Sequence, residues 1–241
     1  MIIEKTGNIF TTQSQTIVNT INCVGVMGAG IAYEFRLREP KMFQAYQQLC
    51  NKKQMEIGKL WLYNTNQENA NYSKILNFPT KHDWKFPSKE EYLHKGLEKF
   101  LTTYKQKGIT SIAFPLLGAD KGGIHAKKSQ SIMESYFKEC DIDIEIWHFD
   151  PQAQDDLYEN FKAIFLEIDT QTIKTQSGIR IDKVNLVKDS IKKDDINSLS
   201  GLLRVKGVGD TTIEKLFDFV SNFKKNNFNL FNYEDTIPYS L

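Results

Sequence analysis

The most informative segment of the chain is residues 18–32, which read V-N-T-I-N-C-V-G-V-M-G-A-G-I-A. A β-branched apolar run leads into the polar residues Asn19, Thr20 and Asn22, after which a glycine-spaced loop opens a predicted helix. Backbone N–H groups exposed in such a loop, at a helix N-terminus, suit a phosphate or a diphosphate. The glycine spacing is neither that of a P-loop nor G-x-G-x-x-G, so neither of those nucleotide-binding folds is predicted.

A second glycine-rich loop follows another buried strand. Residues 115–124 read P-L-L-G-A-D-K-G-G-I, between a predicted strand that ends at Phe114 and a predicted helix over about Lys127–Phe137. Either loop alone is most simply a turn. Two such loops at the same end of one sheet are better explained by a ligand that carries two phosphates.

A third segment places a lysine at the end of an apolar strand. Residues 75–84 read I-L-N-F-P-T-K-H-D-W, in which Pro79 fixes the turn and Lys81 follows it. Most lysines in polar loops are simply solvated. The position of Lys81 directly after a buried strand favours a role in a site at the same edge as the two glycine loops.

The three segments together resemble the macrodomain family. T-I-N-C-V-G-V-M-G, N-F-P-T-K and P-L-L-G-x-x-x-G-G occur in the order typical of that family, and the resemblance covers roughly residues 1–150. Within the family, the chain is most similar to the antitoxins that act as DNA ADP-ribosyl glycohydrolases, and to the terminal ADP-ribose glycohydrolase. The resemblance implies an α/β/α three-layer sandwich over a mixed sheet, with ADP-ribose and ADP-ribosylated DNA as ligands. It implies a cognate ADP-ribosyltransferase toxin as a partner, and neither a metal nor a diffusible cofactor.

The resemblance also implies roles for individual residues. Lys81 would act at the anomeric carbon, either as an amine that attacks a ring-opened ribose or as a cation that stabilises departing charge. Asn22 would face the distal ribose, and Asn8 with Ile9 would contact adenine. The residues expected to hold ADP-ribose are Asn8, Ile9, Asn19, Thr20, Asn22, Val24, Gly25, Val26, Met27, Gly28, Pro115, Leu117, Gly118, Ala119, Asp120, Lys121, Gly122, Gly123 and Ile124.

The second loop departs from the family pattern. Gly122 stands where the terminal glycohydrolase has an aspartate, Asp120 where the DNA ADP-ribosyl glycohydrolases have glycine, and His125 where they have aspartate. The simplest interpretation is that Asp120 faces outward, whereas an inward carboxylate would repel the diphosphate and put hydrolysis in doubt. Two alternatives therefore stay open: a non-catalytic ADP-ribose-binding module, and a hydrolase of ADP-ribose linked to protein.

Two regions are candidate contacts for DNA. Trp84 can stack on a base and Lys85 can contact a phosphate, although Asp83 weakens the positive charge there. Residues 202–216, L-L-R-V-K-G-V-G-D-T-T-I-E-K-L, resemble a helix–hairpin–helix motif, whose turn would hold a DNA phosphate. A turn that merely packs is an equal alternative. The contacts expected from this second region are Lys206, Gly207 and Gly209.

The order of predicted elements indicates one α/β domain and one small helical domain. Strand-like and helical patterns alternate to about residue 168, which argues for a sheet with helices on both faces. Residues 169–180 are polar and predict a linker or an exposed loop. The pattern is mostly helical from residue 181 to about 223, and residues 226–241 show no clear period. We therefore predict a macrodomain over 1–168, a linker over 169–180 and a small helical domain over 181–241.

The composition is that of an ordinary globular protein. There are 31 Lys+Arg and 30 Asp+Glu, so the net charge of +1 does not by itself predict nucleic-acid binding. Three cysteines, without metal-like spacing, and the lack of a signal-peptide pattern predict a reducing, cytoplasmic location. No apolar run approaches membrane-spanning length, and the four histidines are scattered, so neither a membrane partner nor a metal site is predicted.

Overall fold

The computed structural model describes residues 1–65, 70–193 and 195–234, the last eleven of them (224–234) by their backbone alone. The chain divides into two compact units, Met1–Ala153 and Gln154–Leu241. The boundary therefore precedes the predicted one at residue 168, because the helix that follows residue 153 belongs to the second unit.

The first unit is built on one six-stranded mixed sheet. Its strands are β1 (Ile2–Gly7), β2 (Thr16–Asn22), β3 (Trp61–Asn64), β4 (Lys74–Lys81), β5 (Ser111–Pro115) and β6 (Asp143–Phe149). Their order across the sheet is β1-β6-β5-β2-β4-β3. All neighbouring pairs are parallel except β3 and β4, which are antiparallel. The predicted α/β class with a mixed sheet is confirmed.

Helices cover both faces of this sheet. They are α1 (Gly30–Arg38), α2 (Pro40–Asn51), α3 (Glu90–Thr103) and α4 (Ala126–Phe137), and short 3-10 helices span Ile9–Thr11 and Asp120–Gly122. Strand β2 shows why both faces are buried, because its apolar side chains point alternately to the two faces of the sheet. Ile17 and Ile21 pack with residues of α1 and α2, whereas Val18 packs with residues of α3 and α4. The first unit is thus a three-layer α/β/α sandwich.

The parallel strands bring all the predicted site segments to one edge of the sheet. The carboxyl ends of β1, β2, β4, β5 and β6 meet there, and we call this the carboxyl edge. Strand register places Asn22 beside Lys81 and Gly7 beside Phe149. Chain segments far apart in sequence therefore start their loops from neighbouring positions.

The second unit is helical. It contains α5 (Asp156–Glu167), α6 (Thr170–Ser177), α7 (Ile181–Ser190), a 3-10 helix (Ser200–Arg204) and α8 (Asp210–Glu234). Helix α8 extends past the predicted end near residue 223, and residues 235–241 of the predicted tail lie outside the described residues. Within the described part of the chain, no helix is long and apolar enough to cross a membrane.

The segment predicted as a linker or exposed loop, residues 169–180, instead contains α6. The Asp169 side chain accepts a hydrogen bond from the Thr172 backbone N–H (2.9 Å) and so caps the helix start. Gly178 ends the helix in the left-handed region, with φ of 69°. Ile173 is the buried residue of this helix, so its sequence shows no apolar period.

A buried carboxylate ties the β1 end of the sheet together. Glu145 on β6 accepts hydrogen bonds from the Lys5 ammonium (2.6 Å), the Thr12 hydroxyl (2.6 Å) and the Trp147 indole N–H (2.7 Å). Burial opposes its ionisation, but these three donors outweigh burial and hold the pKa of Glu145 below its usual range. The network fixes the strands from which the Ile9–Thr11 turn starts.

We expect the substitution Glu145→Gln to lower the free energy of unfolding by about 2 kcal/mol at pH 7, because an amide cannot satisfy all three donors. The folded-state pKa lies below the unfolded value, so the ionised carboxylate stabilises the fold at neutral pH. That contribution is lost as the pH falls through the folded-state pKa. Urea unfolding at pH 7 and near pH 3 measures the difference in unfolding free energy between wild type and Glu145→Gln. That difference should be smaller near pH 3.

The matched control is Glu4→Gln, which alters a carboxylate 56% exposed on the neighbouring strand. Its effect should stay below about 0.5 kcal/mol. If the difference in unfolding free energy between wild type and Glu145→Gln did not change with pH, the hydrogen-bond network assigned to Glu145 would be contradicted.

Candidate functional site

Exposed apolar side chains concentrate at the carboxyl edge. Of the eight large apolar side chains that are exposed among the described residues, five lie at or just beyond the carboxyl end of a strand. They are Val24, Val26, Trp84, Phe86 and Phe149. Apolar surface grouped in this way marks a ligand or interaction site.

The first loop, residues 23–29, is braced by the Asn22 side chain. The Asn22 amide oxygen accepts hydrogen bonds from the Val24 N–H (3.0 Å), the Val26 N–H (3.3 Å) and the Tyr46 hydroxyl (2.9 Å). Its amide nitrogen donates to the Val26 carbonyl. Asn22 therefore braces the first loop, and its expected contact with the distal ribose stays a prediction.

A buried layer supports the first loop from below. Asn19 donates from its amide to the Asn77 amide oxygen (2.9 Å), across the β2–β4 pairing, and lies 3.9 Å from the Met27 sulfur. Met27 is fully buried, so its side chain anchors the first loop. Along the same loop Val24, Val26 and Gly28 are exposed. Thr20 is half-buried on the opposite face of β2 from Asn19.

Cys23 is not suited to nucleophilic chemistry. Its side chain is buried, and burial, with smaller contributions from Cys50 and Glu56, raises the pKa of the Cys23 thiol to about 12. A thiol of that pKa is almost entirely protonated at neutral pH. Cys23 is therefore a small packing residue of the first loop.

The second loop, residues 116–125, is held on both sides. The Ser129 hydroxyl on α4 donates to the Leu117 carbonyl (2.7 Å), and the Ile124 N–H donates to the Gly118 carbonyl (3.0 Å). Gly118 has φ of +65°, and a Cβ there would lie 2.9 Å from Ile124 Cδ1. Of the expected ligand residues in this region, Leu117, Gly118 and Gly122 are buried, Pro115, Ala119 and Ile124 are half-buried, and Asp120, Lys121 and Gly123 are exposed. The exposure of Asp120 fits an outward-facing carboxylate.

The connecting segment, residues 81–88, joins the two loops through three hydrogen bonds. The Lys81 ammonium donates to the Lys121 carbonyl (2.6 Å) in the second loop. The Cys23 N–H of the first loop donates to the His82 carbonyl (3.0 Å). The Ser88 N–H donates to the Gly122 carbonyl (2.8 Å), and a Cβ on Gly122 would come within 2.7 Å of the Ser88 hydroxyl. The Lys81 side chain therefore extends from the end of β4 to the second loop.

The β1 end of the carboxyl edge carries an exposed aromatic ring. Phe149, the last residue of β6, pairs in register with Gly7 and is 76% exposed. Asn8 follows Gly7 and uses its amide oxygen to cap the Ile9–Thr11 helix at the Phe10 N–H (3.0 Å), while Ile9 is buried. Sequence reasoning missed Phe149, although an aromatic residue at a strand's carboxyl end is a usable signal.

The connecting segment also presents an aromatic and basic surface. Trp84 and Phe86 are 52% and 65% exposed, and the Lys85 ammonium lies 5.6 Å from the centre of the Trp84 ring. The Asp83 carboxylate accepts the Lys85 N–H (3.0 Å) and so closes the turn on which both aromatics stand. Stacking rings beside a cation suit an unpaired nucleobase and its phosphate.

The residues of the predicted hairpin lie in the second unit. Gly207 has φ of +94°, and its carbonyl accepts a hydrogen bond from the Lys183 ammonium (2.6 Å). Gly209 directly precedes α8, and Lys206 and Gly209 are exposed. The element before the turn is the 3-10 helix Ser200–Arg204, which departs from the α-helix that the motif predicts there.

Comparison with known proteins is consistent with this geometry. The family described as Macro domain matches residues 18–133. A DNA ADP-ribosyl glycohydrolase of Mycobacterium tuberculosis is 37% identical over 148 residues, which are 61% of this chain and 42% of that protein. A DNA ADP-ribosyl transferase–DNA ADP-ribosyl glycohydrolase fusion protein of Thermosipho africanus is 32% identical over 155 residues, and 40% of it is covered. The chain thus spans less than half the length of these curated relatives.

Solved structures agree with the sequence comparison. The macrodomain of Mycobacterium tuberculosis DarG is 37% identical, with a TM-score of 0.59, and the match covers 61% of this chain and 97% of that one. Thermosipho africanus DarTG in complex with ADP-ribose is 30% identical, with a TM-score of 0.56, and covers 64% of this chain and 42% of that one. The fold, the order of the site segments and these similarities lead to one conclusion: the chain belongs to the macrodomain family.

Proposed function

We propose that this protein is an ADP-ribosyl glycohydrolase that removes ADP-ribose from a nucleobase of DNA. The observation that carries the proposal is the connecting segment, because it holds Lys81 against the second glycine loop while bonding to the first. Relatives that share this part of the chain are described as DNA ADP-ribosyl glycohydrolases. The proposed antitoxin or repair role rests on the same relatives.

The proposed ligand arrangement follows the carboxyl edge. Adenine stacks on Phe149 beside Asn8, and the diphosphate lies on the backbone N–H groups of the two glycine loops. The distal ribose then lies near Lys81, where the second loop meets the connecting segment. No metal or diffusible cofactor is part of this proposal.

Lys81 is the proposed catalytic residue. Hydrolysis breaks the bond between the anomeric carbon and the base, and water supplies the hydroxyl that replaces the base. As an amine, Lys81 would attack the anomeric carbon of the ring-opened sugar and be released by water. As an ammonium, it would stabilise the negative charge that develops on the departing base. Its hydrogen bond to the Lys121 carbonyl orients the nitrogen for either role.

The proposed DNA contact is the surface formed by Trp84, Phe86 and Lys85. A base next to the modified one stacks on an exposed ring, and the lysine meets a phosphate. A proposed partner is a cognate ADP-ribosyltransferase, since one relative is described as a fusion of the two activities. The described cysteines are free thiols, which suits the proposed cytoplasmic location.

We expect Trp84→Ala to weaken binding of an ADP-ribosylated single-stranded oligonucleotide by roughly 5- to 150-fold, the value of one base–aromatic stack. Binding of free ADP-ribose should stay within about twofold, because the ring serves the strand alone. Phe149→Ala should weaken both ligands, because its ring stacks on adenine. Fluorescence anisotropy for the oligonucleotide and calorimetry for ADP-ribose measure the two effects. If Trp84→Ala lost equal affinity for the oligonucleotide and for ADP-ribose, the assignment of Trp84 to the DNA strand alone would be contradicted.

A side-by-side turnover assay tests the proposed function. ADP-ribosylated DNA and ADP-ribosylated protein are offered together, and released ADP-ribose is assigned to its source by mass spectrometry of both macromolecules. Preferential loss of the modification from DNA supports the proposal. Binding without product would make the chain an ADP-ribose-binding module, and preferential loss from protein would assign it to protein-linked ADP-ribose.

A further inference from the structure

The second unit contains an open cleft that the proposed function does not use. Its volume is about 270 Å³, and it lies between the end of α7 and the turn that precedes α8. The family match ends at residue 133, so it assigns no role to this unit. The cleft is lined by Ser190, Lys193, Asp195, Ile196, Arg204, Val205 and Lys206.

The lining is locally basic. Among the described residues, the lining holds three basic side chains, Lys193, Arg204 and Lys206, and one carboxylate, Asp195, whereas residues 154–241 as a whole carry twelve Lys+Arg against fourteen Asp+Glu. Across the described part of the chain, none of the three basic side chains forms an ion pair. The Arg204 guanidinium donates to the backbone carbonyl of Asp195 (2.9 Å) and not to its carboxylate. This bond fixes the guanidinium at the cleft.

We propose that this cleft binds a phosphate group of a nucleic-acid strand. Three basic side chains supply the charge, and the half-buried Val205 offers apolar surface for the attached sugar. A cation on an exposed surface gains little from a single free phosphate in water. A strand instead presents successive phosphates and releases counterions when it binds, which makes several weak contacts effective together.

The test uses the full chain and an unmodified, fluorescently labelled oligothymidylate of about twelve nucleotides. The cleft variant is Lys193→Gln/Arg204→Gln/Lys206→Gln. The control variant, Lys162→Gln/Lys174→Gln/Arg180→Gln, removes the same number of lysines and arginines from the same unit, at positions that do not line the cleft. Both are made on a Trp84→Ala/Lys85→Gln/Phe86→Ala background, which removes the proposed DNA contacts of the first unit.

We expect the cleft variant to bind the oligonucleotide at least about tenfold more weakly and the control within about threefold. The log–log slope of affinity against salt should fall by about 0.7 for each phosphate that the variant no longer neutralises. Free ADP-ribose affinity, measured by calorimetry, should not change in either variant, which shows that the first unit is intact. This readout does not depend on glycohydrolase turnover, so failure of the cleft and failure of the proposed function are distinguishable.

Equal losses in the two variants would overturn the proposal, because charge alone would then explain the binding. An unchanged affinity and salt slope in the cleft variant would overturn it as well. Competition identifies the source of the anion. Displacement of the oligonucleotide by thymidine monophosphate or inorganic phosphate at equal phosphate concentration would assign the cleft to a free anion, and displacement by polyglutamate would assign it to an acidic protein.

Discussion

The substitution Lys81→Ala is expected to slow release of ADP-ribose from modified DNA by at least about 100-fold, the usual effect of losing one group that acts in the transition state. The affinity for free ADP-ribose should stay within about threefold of wild type, because the proposed binding contacts come from the two glycine loops and not from the lysine. Single-turnover kinetics with a modified oligonucleotide and calorimetry with ADP-ribose measure the two quantities. The matched control is Lys99→Ala on α3, which removes an exposed lysine from a helix that is not part of the site.

The Lys81→Arg variant separates the two chemical roles. Arginine keeps the positive charge but cannot act as an amine nucleophile, so partial turnover indicates charge stabilisation. If the amine attacks ring-opened ribose, the arginine variant is as inactive as the alanine variant. Borohydride should then trap a covalent adduct on wild-type protein during turnover. Retention of most activity by Lys81→Ala would mean that Lys81 links β4 to the second loop without acting in catalysis.

The substitution Gly28→Val is expected to weaken ADP-ribose binding by at least about 50-fold without destabilising the fold. A Cβ at this position would meet only Val26 Cγ1, at 3.6 Å, and the residue is exposed. The added side chain therefore has room in the free protein but occupies the space over the first loop that the proposed diphosphate needs. The melting temperature should stay within about 3 °C of wild type.

By contrast, the substitution Gly118→Ala should lower the stability of the folded protein. The positive φ of Gly118 and its contacts at 2.9–3.2 Å leave no room for a methyl group, so we expect a loss of about 1–3 kcal/mol in stability. Calorimetric titration and thermal melts of both variants make the comparison. Unchanged affinity in folded Gly28→Val would remove the first loop from the ligand site.

Much of the first unit could be predicted from its sequence. The strands are short runs rich in β-branched residues, and apolar residues recur at helical spacing in the helices. The local sequence pattern and the tertiary packing therefore agree. The grouping of the loops after β2, β4 and β5 at one edge could be predicted as well, because these strands are parallel.

The side-chain roles could not be predicted in the same way. Asn22 occupies the expected position, but no sequence pattern predicts its hydrogen bonds to Val24 and Val26, or its contact with Tyr46 on a helix twenty-four residues away. Phe149 is an apolar residue on a buried strand, and only its place at the strand's end exposes it. Helix α6 was missed because its buried surface is one isoleucine and its caps are polar.

Mapping of ADP-ribose onto the protein by amide chemical shifts tests whether the carboxyl edge is the ADP-ribose site. Titration of the ¹⁵N-labelled chain should shift the amides of the first loop, the second loop and the residues around Asn8 and Phe149. Amides at the opposite edge of the sheet, such as those of Thr110 and Ile142, should not move. Shifts confined to residues after 153, or to the amino ends of the strands, would contradict the assignment of the carboxyl edge as the ADP-ribose site.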